Sequence, residues 1–217
     1  MLSEDGFNRW SATYDASVAE NEEEDRYPFA GYGKVLAYVY QEIMAGAKGE
    51  PLRVLDIGFG TAVLTGRLYD AGCEITGVDF SEKMQRIARE KMPLARLFHG
   101  DFSRGLPEAV RGEKYDYIIS TYALHHLADP AKRELIGELL ACCRSGGAVL
   151  IGDVAFADRE RLNQCRAESG DEWDDEECYF VAEDWQGAFP DVRFRPLSSC
   201  AGVLVFPKKG GGREPEQ

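Results

Sequence analysis

The sequence is poor in positive charge and poorer still in features that bind metal, cross a membrane or direct export. Its 217 residues carry 25 Lys and Arg against 38 Asp and Glu, a formal net charge of −13. The summed field of such a chain repels a phosphate backbone. The one basic doublet outside mixed-charge helices is Lys208-Lys209, just before a Gly-rich end, so a nucleic-acid partner is not expected. No apolar run approaches the ~20 residues of a membrane-spanning helix, and no membrane partner is expected either. The opening MLSEDGFNRW has neither the basic region nor the apolar core of a signal peptide, which makes a cytoplasmic location the expectation. The six cysteines, Cys73, Cys142, Cys143, Cys165, Cys178 and Cys200, form no C-x-x-C pair and read as reduced, mostly buried thiols. None of the three histidines stands at metal-ligand spacing with a cysteine, so no metal site is expected.

What is present is a globular chain, 44% apolar, long enough for one domain with a substantial core. Phe7, Trp10 and Tyr14 recur at steps of three and four, a single apolar stripe on a helix. The acidic run Glu20 to Asp25 interrupts it as a solvated loop. A second helix follows Tyr27-Pro28, with Val35, Leu36, Val39, Tyr40 and Ile43 inward.

From residue 52 short strands alternate with helices. The strands are LRVLDI (52–57), EITGVDF (74–80), ARLFHGD (95–101), YDYIIST (115–121) and GAVLIGDVAF (147–156). The helices are TAVLTGRLYDAG (61–72), SEKMQRIAREKM (81–92) and DPAKRELIGELLACC (129–143). Gly72 ends the first of these, Ser81 caps the second and Pro130 suits the start of the third. Strands apolar nearly throughout and alternating with helices imply a parallel sheet covered on both faces. The end breaks that rhythm. After a mixed helical and acidic segment (157–178) and a short helix near 182–189, the strands 191–199 and 201–207 are joined too tightly for a parallel crossover, so they pair antiparallel.

The chemistry centres on VLDIGFGTA (54–62) after the first strand. Gly58 and Gly60 stand where the chain turns sharply and a ligand can approach the backbone. Asp79 ends the second strand, nineteen residues beyond Gly60. There a carboxylate accepts hydrogen bonds from a ribose diol; a helix-capping role is the alternative, although Ser81 already fills it. Val63 occupies the place of the third glycine in dinucleotide loops, which argues against a nicotinamide-dependent oxidoreductase. Asp56 would repel a pyrophosphate but suits a ligand with an ammonium group. His125 and His126 follow the fourth strand, at the sheet edge where open α/β folds bind ligands. Either can act as a general base, or simply start a helix. His99, within a strand, reads as structural.

The ordered series VLDIGFGTA, ITGVDFSEKM, HGDFSRGLP, YDYIISTYALHHL and LLACCRSGGAVLIGDV resembles the motifs of class I S-adenosylmethionine-dependent methyltransferases. The opening FNRWSATYDASVAENEEE is similar to that of the small YrrT-type methyltransferases. The resemblance implies an α/β, three-layer Rossmann-like methyltransferase fold, a mostly parallel seven-stranded sheet with an antiparallel final strand. It implies an N-terminal helical lid (1–50), a cofactor-binding domain (51–207) whose residues 157–190 form a substrate cap, and a flexible tail (208–217). S-adenosylmethionine is the implied cofactor and a small molecule the implied methyl acceptor; a non-catalytic binding or partner subunit is the alternative.

Carried over by position, the resemblance assigns Gly58 and Gly60 to the methionine side of the cofactor and Asp79 to the ribose, with Asp56 and Phe59 counted among the cofactor-binding residues of the same loop. It places Phe80 or Met84 against the adenine, Asp101 at the adenine amino group, Phe102 near the ring, and Ser120 and Thr121 beside the transferable methyl. It implies that Tyr14 closes over the pocket and that His125 or His126 serves the acceptor. Asp101 can instead close a turn, and Met84 can simply pack. Phe59 departs from the small or polar residue many relatives carry. The dense acidic stretch GDEWDDEECYF (170–180) reads as a solvated loop, with steering of a cationic acceptor as the alternative.

Overall fold

A computed structural model describes residues 27–210. The elements run in the order α1 (Tyr32–Ala45), β1 (Arg53–Ile57), α2 (Val63–Asp70), β2 (Glu74–Asp79), α3 (Glu82–Lys91) and β3 (Arg96–His99). Then come α4 (Glu108–Arg111), β4 (Tyr115–Thr121), α5 (Asp129–Cys142), β5 (Cys143–Phe156) and α6 (Arg159–Ser169). The two-residue strand β6 (Phe180–Val181), β7 (Arg193–Pro196) and β8 (Ala201–Pro207) complete them.

The sheet order is β3-β2-β1-β4-β5-β8-β7, with β6 beside the end of β5. Pairing is parallel from β3 to β5. Only β8 runs against its neighbours, Ile151 facing Leu204 on β5 and Phe194 facing Leu204 on β7. Seven strands thus follow the expected path, and the eighth, β6, is a short addition beside the end of β5.

Alternation along the strands loads both faces. Val54, Ile75, Leu97, Ile119 and Leu150 enter one core with α1, α2 and α3. Leu55, Ile57, Val78, Ile118 and Val149 enter the other, with α4 and α5. The α1 stripe Val35, Leu36, Val39 and Ile43 is buried, as helical spacing requires, and each fully buried aliphatic contributes roughly 1.5–3 kcal/mol. Tyr40 is only half-buried, with the Arg67 guanidinium over its ring.

One boundary moved. The extended chain begins at Cys143, which pairs with Tyr115 before a register shift lets Tyr117 meet Ala148. Arg144 to Gly146, left between the expected helix and strand, are therefore part of β5. The cysteine pair divides, Cys142 ending α5 and Cys143 opening β5, both buried. No helix among the described residues is long and apolar enough to cross a membrane.

Candidate active site

The site lies at the carboxyl edge of β1, β2 and β4, where the strand order reverses and open α/β sheets bind ligands. After β1 the chain passes through three left-handed residues, Gly58 (φ 76), Gly60 (φ 54) and Ala62 (φ 60). Gly58 is required twice over, since a Cβ there would fall 2.6 Å from the Cβ of Ala123. Gly60 faces open space, so only its dihedral calls for glycine. The loop is fastened by Gly58 N donating to Val78 O (2.7 Å) and by Lys91 Nζ donating to Thr61 O (2.7 Å). Phe59 is buried against Gly77.

Asp79 holds this loop in place. Its Oδ2 accepts from Gly60 N (2.9 Å) and its Oδ1 from Ser81 N (2.8 Å). Burial pushes its carboxyl up, against the pull of those two donors. Ser81 caps α3 by accepting from Met84 N (3.3 Å), so the cap and the loop anchor are separate roles. His99 contacts the Phe80 carbonyl through Nε2 (2.8 Å), a structural task, as its strand position suggested.

Asp56 is buried at the end of β1. Thr65 Oγ1 donates to its Oδ2, while Oδ1 has no partner among the described residues. Burial raises the carboxyl to about 7; the Thr65 hydroxyl opposes this and the nearby Asp79 charge adds to it. A buried carboxylate oxygen without a donor costs roughly 1–3 kcal/mol or more, and a cationic ligand group removes that cost.

The opposite wall follows β4. Tyr122 adopts φ 50, a conformation that costs a bulky residue energy and concentrates at functional sites. A short 3-10 turn, Leu124–His126, then presents both histidines. Asp153, fully buried in β5, accepts from Leu124 N and His125 N through Oδ2 (3.2 Å each). Its Oδ1 accepts from Val154 N (2.8 Å) and meets His125 Nδ1 at 2.6 Å. On the far side, Glu177 meets His125 Nε2 at 3.1 Å and His126 Nδ1 at 2.9 Å. Burial lowers the His125 pKa, but the Asp153 and Glu177 charges overcome it and leave it raised. Burial likewise opposes ionisation of Asp153, and His125 reverses that, so its carboxyl is held below the usual range.

Glu177 belongs to the acidic segment 170–180, which folds over this wall instead of lying free. Cys178 N donates to His125 O (2.8 Å), and the fully buried Lys132 donates to Cys178 O. The Tyr27 and Tyr179 hydroxyls are hydrogen-bonded to each other, and Asp174 N donates to Tyr27 Oη (3.2 Å). The reading of this stretch as a solvated loop holds for Asp171, Glu172, Asp174, Asp175 and Glu176, which are exposed, and is corrected for Glu177 to Phe180, which aromatic and backbone contacts anchor.

Together these walls enclose a cavity of about 310 Å³, the size of a small-molecule cleft. Of the residues singled out in the sequence, Asp56, Gly58, Phe59, Gly60, Asp79, Phe80, Met84, Phe102, Thr121, His125 and His126 all line it. Asp101 and Ser120 stand apart from that lining. Asp101 is exposed and accepts from Ser103 N (3.0 Å), closing a turn; Ser120 donates to Ile57 O (2.7 Å), tying β4 to β1. Tyr14 lies outside the described residues. Asp153, Glu177, Tyr27 and Tyr179 escaped the sequence reading. Only Asp153 carried a signal, a lone carboxylate within an apolar strand.

Comparison with known proteins gives one consistent result. The family described as "Methyltransferase domain" matches residues 54–147. An uncharacterized methyltransferase of Anoxybacillus flavithermus is 36% identical over 165 residues, covering 76% of this chain and 73% of that protein. One from Geobacillus thermodenitrificans is 37% identical over 161 residues, 74% of this chain and 70% of the relative. Among solved structures, magnesium protoporphyrin IX methyltransferase from Synechocystis with bound SAH superposes with a TM-score of 0.65 at 20% identity, covering 82% and 83% of the two chains.

Proposed function

Because this chain belongs to the methyltransferase family of these relatives, we propose that it transfers the methyl group of S-adenosylmethionine to a small-molecule acceptor. The observation that carries this reading is Asp56, whose buried Oδ1 has no partner among the described residues. An α-ammonium is the group that such an oxygen accepts from. The bare backbone at Gly58 and Gly60 leaves room for the amino-acid end of the ligand, and Asp79 stands at the ribose. Phe80, Met84 and Phe102 supply the apolar surface for a purine. When bound, S-adenosylmethionine supplies a methyl carbon made electrophilic by its positive sulfur.

The chain's own residues then position, shield and accept a proton. Phe29, Tyr32, Tyr122 and Tyr179 line the acceptor side of the cavity and exclude water. Holding the attacking atom in line, about 3–3.5 Å from the methyl carbon, is the main catalytic task. The His125, His126 and Glu177 cluster is the proton acceptor at that end. His125 is clamped between two carboxylates, which holds its ring in place beside His126 and Glu177.

The cavity carboxylates Asp56, Asp79, Glu172, Asp174 and Glu177 favour a neutral or cationic acceptor over a polyanion. The test is calorimetry with S-adenosylhomocysteine, followed by incubation of the chain and S-adenosylmethionine with small-molecule pools. A product one methyl group heavier supports the reading, and a folded chain that binds neither form of the cofactor overturns it.

A further inference from the structure

We infer that His125, His126 and Glu177 form a binding site for a transition-metal dication at the acceptor end of the cavity. The three offer ligand atoms that all lie within 4.8 Å of one another. His125 Nε2 and His126 Nδ1 approach the two oxygens of one carboxylate at 3.1 and 2.9 Å. A single ion about 2.0–2.2 Å from each donor is reached by small side-chain rotations.

The surroundings supply what such ligands need. His125 gives its other nitrogen to Asp153 at 2.6 Å, which fixes the proton on Nδ1 and aims the Nε2 lone pair inward, the usual carboxylate support of a ligating histidine. Asp153 is itself immobilised by three backbone N–H groups. Glu177 precedes Cys178, whose amide and carbonyl are both anchored. The three side chains are only 12%, 19% and 16% exposed, yet all line the cavity. Charge favours a dication: Asp153 and Glu177 face two imidazoles, and the nearby Lys132 ammonium is balanced by Asp129 at 3.1 Å.

Two nitrogens and one carboxylate suit zinc, manganese, iron or cobalt over magnesium or calcium. Three protein ligands leave positions open for an acceptor. The role of the ion rests on the methyltransferase reading; the site itself does not. With the ion in place these side chains are ligands instead of proton acceptors, and a hydroxyl acceptor bound there loses its proton to water. Its oxygen forms a bond to the methyl carbon as the carbon–sulfur bond breaks, and that electron pair leaves on sulfur as the neutral thioether.

Cobalt(II) is the probe. The chelator-treated full chain is titrated by calorimetry and by visible d–d absorption, with S-adenosylhomocysteine titrated separately. The proposal expects one cobalt per chain with micromolar affinity, weakened at least tenfold in the near-isosteric Glu177→Gln and in His126→Gln. Asp153→Asn, a positioning change, weakens it 10–100-fold with the stoichiometry kept. Circular dichroism establishes that each variant is folded. No cobalt binding by a folded wild type overturns the proposal, as does binding undiminished in both Glu177→Gln and His126→Gln. Cobalt binding without S-adenosylhomocysteine binding supports the site and overturns the methyltransferase reading; the converse pattern overturns the site alone.

Discussion

Phe59 closes over Gly77 so tightly that a methyl group on Gly77 would lie 2.6 Å from Phe59 Cδ1. The large residue in the ligand loop is thus matched by an absent side chain on the neighbouring strand. Gly77→Ala is expected to cost about 1–3 kcal/mol by overpacking. Combining it with Phe59→Leu should recover part of that loss, about 1 kcal/mol of coupling in a double-mutant cycle by urea unfolding. Recovery is partial because Leu97 Cδ2 also stands 2.9 Å from the same point.

The two loop glycines should respond differently. Gly58→Ala meets both a left-handed dihedral and the Ala123 side chain, and is expected to cost about 2–4 kcal/mol and to abolish S-adenosylhomocysteine binding. Gly60→Ala meets only the dihedral, about 1–2 kcal/mol. Adding Ala123→Gly should rescue Gly58→Ala in part and leave Gly60→Ala unchanged, as read by thermal unfolding.

With Asp56 as the proposed ammonium acceptor, cofactor binding is expected to depend on pH. Its carboxyl titrates at about 7 in the free chain, and an ammonium is held by the ionised form. Affinity for S-adenosylhomocysteine is therefore expected to level off near pH 8, where carboxylate and ammonium are both charged, and to fall toward tenfold per unit well below pH 7. Asp56→Asn should bind more weakly at pH 8 and show a flat profile by calorimetry. The sign for stability is the reverse. A carboxyl raised on folding costs stability as pH climbs from about 4 to 7, so the free Asn variant should unfold at higher temperature than wild type at pH 8.

The His125–Asp153 pair gives a second pH signature. Asp153 is lowered on folding, so its contribution is present above the ordinary carboxylate value near 4 and is lost as pH falls through the depressed one. His125 is raised, so its contribution is complete below about 6.5 and is lost as pH rises through the raised value. His125→Gln leaves Asp153 buried without its counter-charge, a loss on the order of 3 kcal/mol. That loss should be largest between about pH 4.5 and 6.5 and smaller at pH 9, as read by chemical denaturation.

The central sheet was legible because its signals are local. Apolar strands, the glycine loop and Asp79 sit within one stretch of chain, and short links fix the direction of β8. The Asp153–His125–Glu177 chain was not legible, since its members are 28 and 52 residues apart in sequence and only packing brings them together. Glu177 looked like any other member of an acidic run. Asp101 is the opposite case: its motif is present, and its Oδ1 closes a turn outside the cavity lining.

Calorimetric titration of the folded chain with S-adenosylhomocysteine, beside Asp79→Ala, tests the account most directly. The account predicts micromolar binding, about −8 kcal/mol, to wild type and its loss in the variant. Asp79→Ala removes the proposed ribose anchor and the support of Gly60 N together. A folded wild type that gives no binding heat at about millimolar ligand contradicts it.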